Sequence, residues 1–344
     1  MKVAVVLFNL GGPDRPDAVE PFLYNLFSDP SIIGLPGLPR RLLARLISRR
    51  RAPVARRIYA ELGGGSPLLA NTEAQARALE ARFAGGPDEL RAFPCMRYWH
   101  PMSDEVARAV RAFGPDRIVL LPLYPQVSTT TTASSRRVWL EAAKAAGLTA
   151  PWRLVCCYPS EAGFVAAEAA LVRDGLAEAG PGARVLFSAH GLPKRVVAKG
   201  DPYQEQVERT AAAVAAAAGL APGRWVVCYQ SRVGPLEWIG PATDAEIRRA
   251  GAEGMPVVVV PIAFVSEHSE TLVELDIEYR RLAAETGVPR YVRVPTVGTR
   301  PEFIDGLARL VRAALAEDRP VRSECGGRLC GPGWGGCLQG QGNA

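Results

Sequence analysis

VVVVPIAFVSEHSETLVELDIEY, residues 257–279, opens as a strand and closes as a helix. The run Val257–Ile262 is continuously apolar, the pattern of a strand covered on both faces. The segment after it carries His268, one of only three histidines, just ahead of Glu270, Glu274 and Glu278. On an α-helix those glutamates are spaced i, i+4, i+8, each about 40° round from the last. Leu272, Leu275 and Tyr279 lie roughly opposite, and Val273 and Ile277 flank the acidic arc. An acidic ridge between apolar flanks reads as the wall of a cavity. Stacked carboxylates repel one another, which raises some of their pKa values and suits them to accepting protons or holding a cation.

The same rhythm runs along the chain. Strands are predicted at Val3–Asn9, Arg117–Pro122, Arg153–Tyr158, Arg184–Ser188, Trp225–Tyr229 and Tyr291–Val294, alternating with helical stretches such as Asp104–Phe113, Gly163–Glu178 and Gln204–Ala218. Strands separated by helices of this length form parallel sheets covered on both faces. The expected fold is α/β, with two doubly wound parallel-sheet domains, at residues 1–160 and 161–320, a central cleft, and a Cys-rich tail at 321–344. Ligands of such sheets bind beyond the carboxyl ends of the strands. The motifs sit there: Gly11-Gly12-Pro13, Tyr124-Pro-Gln-Val-Ser128, His190-Gly-Leu-Pro193, Gln230-Ser-Arg-Val-Gly-Pro235 and His268.

The chain has 344 residues, 48% hydrophobic and 22% charged, and a net charge of +6. No apolar run reaches the roughly 18 residues needed to cross a bilayer. The start runs from Met1 into Gly11-Gly12 without a cleavage pattern, so a cytoplasmic protein is expected. Eight arginines (Arg40, Arg41, Arg45, Arg49, Arg50, Arg51, Arg56 and Arg57) crowd one segment, interleaved with Leu38, Leu42, Leu43, Leu46 and Ile47. Such a basic amphipathic segment suits an anionic membrane surface or an acidic ligand, or is a solvated helix with its leucines on the core. No nucleic-acid module accompanies it.

Two further constellations carry chemistry. His190 follows a buried strand, and with His268 and the glutamates it offers imidazoles and carboxylates for a divalent metal or for proton transfer. Cys325, Cys330 and Cys337 form C-x4-C-x6-C in a glycine-rich tail. In a reducing compartment that pattern favours a metal, either a [2Fe–2S] cluster or zinc, with a fourth ligand from Cys95, Cys156, Cys157 or Cys228.

Taken together, Asn9-Leu-Gly-Gly-Pro13, Gly63-Gly-Gly-Ser-Pro67, Met96-Arg-Tyr-Trp-His-Pro101, Tyr124-Pro-Gln126, Phe187-Ser-Ala-His-Gly-Leu-Pro193, Tyr229-Gln-Ser-Arg-Val-Gly-Pro235 and the 261–279 block resemble the ferrochelatases, which insert ferrous iron into a porphyrin. The resemblance spans nearly the whole chain and implies two Rossmann-like domains of the class II chelatase kind around a porphyrin cleft. It implies His190 as catalytic histidine and iron ligand, Glu270 as the carboxylate facing it, His268 beside that carboxylate, and Glu274 and Glu278 as an acidic track. Leu10, Arg97, Tyr98, Tyr124 and Ser128 match porphyrin-pocket residues, and Ile32–Ile47 matches an apolar lip that faces the bilayer in membrane-associated relatives. Protoporphyrin IX and ferrous iron are the implied substrates, coproporphyrin III the alternative, on a peripheral membrane protein that is monomer or homodimer. Animal relatives take a cluster ligand from the position that is Thr129 here, which cannot serve. Cys157 is the expected fourth ligand and Cys156 its rival, since neighbouring strand residues face opposite ways. A cobalt or nickel chelatase, an iron–sulfur redox protein and a haem-binding protein are the alternative readings.

Overall fold

The computed structural model describes residues 1–232, 234 and 236–339, so Val233 and Pro235 of the Gln-Ser-Arg block and the last tail residues lie outside it. Nine strands occur among the described residues: β1 (Lys2–Asn9), β2 (Glu89–Met96), β3 (Arg117–Pro122), β4 (Trp152–Cys157), β5 (Arg184–His190), β6 (Trp225–Gln230), β7 (Val257–Pro261), β8 (Tyr291–Arg293) and β9 (Val321–Ser323). The seven expected strands are all present, each within two residues of its predicted ends. β2 and β9 were not expected. Pro94 argues against a strand, but β2 lies at the edge of its sheet, where a missing N–H is tolerated. β9 is three residues long, too short to show a period.

The strands form two sheets, ordered β2-β1-β3-β4-β9 and β6-β5-β7-β8. The pairs β1/β2, β1/β3 and β3/β4 of the first are parallel, as are β5/β6, β5/β7 and β7/β8 of the second. This is the α/β parallel-sheet architecture read from the sequence. Two compact units result, discontinuous in sequence where the prediction had them continuous. One comprises 1–124, 128–156 and 311–321; the other comprises 125–127, 157–310 and 322–344, so the tail belongs to the second.

In the first unit, Val3–Phe8 of β1 are each at most 1% exposed, which explains their unbroken apolar run. β1 has β2 on one side and β3 on the other, so the chain changes direction across it. Such a switch point leaves a crevice at the carboxyl ends, where Leu10, Arg97 and Tyr124 leave the sheet.

Helix Gly37–Ala60 carries the arginine cluster. Its buried face is Ala44, Ser48, Ala52 and Tyr59, the first three being small residues that let the helix lie close against the unit. Leu38, Leu42 and Leu46 are 74%, 67% and 48% exposed, so these three leucines do not pack on the core, whereas Leu43 and Ile47 are half-buried. The three exposed leucines form an outward stripe at i, i+4, i+8 beside Arg41, Arg45 and Arg49.

In the second unit the core gathers Leu186, Cys228, Ile247, Val257, Val259 and Leu275. β5 is flanked by β6 and β7, giving this sheet its own switch point. Its carboxyl edge presents His190, Ser231 and the segment after β7.

Candidate active site

Residues Glu270–Glu278 form a π-helix, not the α-helix expected, and Tyr279–Glu285 continue as an α-helix. The wider i→i+5 turn is rare and is seen mostly as single turns at functional sites. Contacts from β8 hold it here. The Tyr291 hydroxyl donates to the Leu275 carbonyl at 2.6 Å, and Arg293 pairs with Asp276 and, at 2.6 Å, with Glu267. Leu275 is fully buried, which contributes about 1.5–3 kcal/mol. These pins lie outside the segment, so its own spacing could not reveal the π pitch.

His190 is the last residue of β5. Val185–Ala189 before it are buried, fixing the strand end, while 39% of the His190 side chain is open. Gly191 then carries the pairing with β6 one residue further. Its N–H donates to the Gln230 carbonyl at 2.9 Å, and a Cβ there would stand 3.0 Å from that oxygen. β6 and β5 are thereby drawn together at the site.

His190 Nδ1 lies 2.9 Å from Glu270 Oε2. That contact fixes the imidazole and leaves Nε2 on the other side of the ring, available to a reactant. His268 is 8% exposed, with Nδ1 3.1 Å from the Ser266 carbonyl and Nε2 3.9 Å from the same Glu270 oxygen. Glu270 is therefore flanked by two imidazoles, as its place in sequence suggested.

Ser231 is the one non-glycine described residue with positive φ, at 59°. That left-handed backbone is strained for a serine and marks a held conformation. It aims two donors at one carboxylate: the Ser231 N–H reaches Glu274 Oε1 at 2.8 Å and Oγ reaches Oε2 at 2.5 Å. The same Oγ is 3.5 Å from Glu270 Oε2. Gln230 Nε2 donates at 3.2 Å both to the Glu270 carbonyl and to Glu274 Oε2, its amide oriented by Ser188. The Tyr279 hydroxyl donates to Glu274 Oε1 at 3.0 Å, so this ring joins the acidic side although the α-helical spacing put it opposite. Glu278 is exposed and lies beyond this network.

The charges follow from these contacts. Burial works against the charged form of His190, but the facing Glu270 and then Glu274 raise its pKa above the ordinary imidazole value. Burial likewise works to raise Glu270, but the charge and hydrogen bond of His190, with His268 behind, hold its carboxyl well below the carboxylate range. Glu274 is raised, by burial first and by Glu270 second, against the pull of Ser231 and Tyr279. One carboxylate is thus held ionised and its neighbour is poised to take a proton.

The residues expected to line a porphyrin pocket lie in the first unit. Leu10 packs partly buried beside Tyr98 and Trp99. Arg97 and Tyr98 are committed to Asp29, which is 2% exposed. Asp29 Oδ2 accepts from Arg97 at 2.6 Å, Tyr98 at 2.8 Å and Ser134 at 2.5 Å, and Oδ1 accepts from the Ser31 N–H at 2.8 Å and Arg137 at 3.3 Å. This network anchors the root of the Ile32–Ile47 segment. Tyr124 is half-buried, and Ser128, 1% exposed, lies 2.9 Å from the Thr130 hydroxyl. Tyr98 and Ser128 therefore support the crevice wall instead of lining it openly. Asp29 was not singled out from sequence; Gln230 and Ser231 lay in a flagged motif without a role, and Tyr279 lay in the 261–279 block but was placed opposite the acidic arc.

A family model described as ferrochelatase matches residues 2–315. The chain belongs to the ferrochelatase family, the chelatases of haem synthesis. The ferrochelatase of Caulobacter vibrioides is 58% identical over 342 residues, covering 98% of this chain and 97% of that one. The ferrochelatase of Phenylobacterium zucineum is 57% identical over 343 residues, covering 98% of each. Among solved structures, SirB from Bacillus subtilis with Fe3+ superposes with a TM-score of 0.54 over 92% of this chain and 96% of that one. At 14% identity that likeness speaks for the fold alone.

Beyond the matched residues 2–315, the tail raises a second question for a ferrochelatase. Among the described residues, no group of three or more His, Cys, Asp or Glu is already arranged to hold a metal ion. The tail thiols do converge. Cys157, Cys330 and Cys337 are 1%, 5% and 3% exposed, and burial, then Cys337 and Cys157, push the Cys330 thiol up to about 12. Cys325 is exposed, its sulfur 3.3 Å from the Ser323 hydroxyl. The Glu324 N–H donates to the Cys157 carbonyl at 3.0 Å, and the Glu324 carboxylate accepts from the Ser160 N–H at 3.0 Å and from its hydroxyl at 2.5 Å, which brings the start of the tail to Cys157. No described helix is long and apolar enough to cross a membrane.

Proposed function

We propose that the chain inserts ferrous iron into protoporphyrin IX, releasing two protons and forming protohaem. The His190–Glu270 contact at 2.9 Å, continued through Ser231 to Glu274, is the observation that carries this reading. A free porphyrin must lose two pyrrole N–H protons as iron enters. His190 Nε2 is the acceptor, and Glu270 stabilises the imidazolium that forms. The Ser231 hydroxyl and Glu274, whose pKa is raised, form the next step outward. Ferrous iron sheds water as it arrives, and histidine with carboxylates replaces it. Glu278 is the outermost acid of the track. Leu10 contacts the macrocycle; Arg97, Tyr98, Tyr124 and Ser128 hold the wall behind it.

Protoporphyrin IX is favoured over coproporphyrin III by the exposed leucines and arginines of the Gly37–Ala60 helix, which suit a membrane-delivered, less polar porphyrin. Anaerobic kcat/KM for the two porphyrins with ferrous iron should favour protoporphyrin IX. Equal or higher values with coproporphyrin III would overturn that choice, and no haem with either would overturn the activity.

The same helix docks the chain peripherally on the cytoplasmic face of an anionic membrane. Each arginine near such a surface is worth about 1 kcal/mol. Co-sedimentation with anionic vesicles should fall with salt and fall further when Leu38, Leu42 and Leu46 become serine. Equal pelleting with zwitterionic vesicles would refute an electrostatic contribution.

Cys157, Cys325, Cys330 and Cys337 hold a [2Fe–2S] cluster. Three converging buried thiols and a fourth in the same tail suit that donor set. When bound, the cluster supplies a cross-link for a tail with little core and one-electron redox capacity. Freshly purified protein should contain iron and acid-labile sulfide with the matching visible bands. Cys157→Ser should lose them and Cys156→Ser should keep them; zinc, or no metal, would refute the assignment.

A further inference from the structure

A buried polar network joins the tail to residues 125–127. Gln126, Gln206, Thr210 and Cys330 are 1%, 1%, 0% and 5% exposed. Gln206 and Thr210 sit one turn apart on the helix Tyr203–Ala217. Gln206 Oε1 accepts from the Val127 N–H at 2.8 Å, and its Nε2 donates to Cys330 Sγ at 3.2 Å. The Val127 N–H can only donate, so the amide oxygen must face it and the NH2 must face sulfur. Gln126 Nε2 donates to the Thr210 hydroxyl at 2.9 Å, which donates to the Gln206 carbonyl at 2.9 Å. The tail is further tied down by the Gly336 N–H, which donates to the Gly200 carbonyl at 2.9 Å.

A glutamine buried this deeply has nowhere to turn without breaking both amide contacts, and each broken contact strands a polar group. Sulfur makes the arrangement responsive. A thiol is a weak acceptor, whereas a thiolate accepts a charge-assisted bond roughly twice as strong as a neutral one. A stronger bond at the NH2 end polarises the amide and strengthens the bond at its oxygen.

The geometry points to Gln206 as the positioning residue that ties Cys330 to Pro125–Val127, so that what Cys330 carries is felt at Val127, next in the chain to Ser128. This rests on the [2Fe–2S] reading above. It adds that the Gln206 N–H tunes the cluster. Donation to a ligand sulfur draws off electron density and favours the reduced, more negative cluster, which raises its reduction potential.

The test uses the full chain as purified. Redox titration followed by electron paramagnetic resonance should give a more negative midpoint in Gln206→Leu than in the parent. Gln206→Glu keeps an acceptor for Val127 but sets a negative charge against sulfur, so its midpoint should be lower still. Hydrogen exchange of the peptide spanning Val127 should speed up several-fold when the parent loses its cluster to an anaerobic chelator, and should not respond in Gln206→Leu. Should Gln206→Leu fail to fold, Gln206→Glu and the stripped parent still decide. Unshifted midpoints in the variants, or equal exchange responses in parent and Gln206→Leu, would overturn this inference while leaving the cluster. A purified chain without iron and sulfide would overturn both.

Discussion

Replacing His190 with alanine is expected to lower kcat/KM for iron insertion by about 10²–10⁴-fold, the usual contribution of a positioned general base. Porphyrin should still bind, because His190 is one group at a strand end and the crevice walls are built elsewhere. The fold should survive. The side chain is 39% open, so its loss leaves no closed cavity, and β5 is fixed by Val185–Ala189, which stay buried. Glu270 changes most. Its pKa is held down mainly by His190, with His268 at 3.9 Å the lesser support, so the variant should carry a Glu270 with a higher pKa. A merely structural role for His190 would show as lost melting temperature with proportionate loss of porphyrin binding. Porphyrin fluorescence titration and thermal unfolding measured beside the anaerobic rate separate the two cases. Near-normal turnover would remove His190 from the proposed role.

The sequence carried the framework of this site but not its couplings. His190 was legible because a buried strand ends at it, and Glu270 and Glu274 because four-residue spacing keeps them on one side in either helix type. The wider π turn makes residues four apart lag where an α-helix makes them lead, and that moved Tyr279 to the acidic side. Nothing within 270–278 could show this, since the pins come from Tyr291 and Arg293. Ser231 was hidden for a different reason: a left-handed serine has no local signature, unlike a glycine. The Gly37–Ala60 helix was misleading in one respect. Its leucines invited a core-facing reading, yet the seam that meets the core is Ala44, Ser48 and Ala52, residues that carry little hydropathic signal. Among the thiols, spacing alone left Cys156 and Cys157 open, since no sequence signal marks Cys157 as the residue whose carbonyl takes the Glu324 N–H at 3.0 Å where the tail begins.

The pH dependence of Glu270→Gln is the sharper test, because it predicts the sign of a shift. In the parent, His190 has a raised pKa, with burial opposing and Glu270 prevailing. As base it must be unprotonated, so kcat/KM should rise with pH through an apparent pKa above about 6.5, the ordinary imidazole value. Two coupled groups titrate together, so that midpoint belongs to the pair. Glutamine keeps a hydrogen-bonding oxygen near Nδ1 but removes the charge. What remains is chiefly burial, which disfavours imidazolium, and the more distant Glu274. The limb should therefore move to lower pH than in the parent. The plateau should fall as well, by about tenfold, the low end for a hydrogen bond to a charged group at a partly open site. Glu274 responds in the same variant. Glu270 is its second largest raising influence after burial, so losing that charge lowers its pKa and weakens it as the next proton acceptor. Both changes act against turnover at neutral pH, although the limb shift alone would leave more His190 unprotonated there. A variant limb at or above the parent's pH would show that Glu270 does not set the basicity of His190, and the 2.9 Å contact would then be structural.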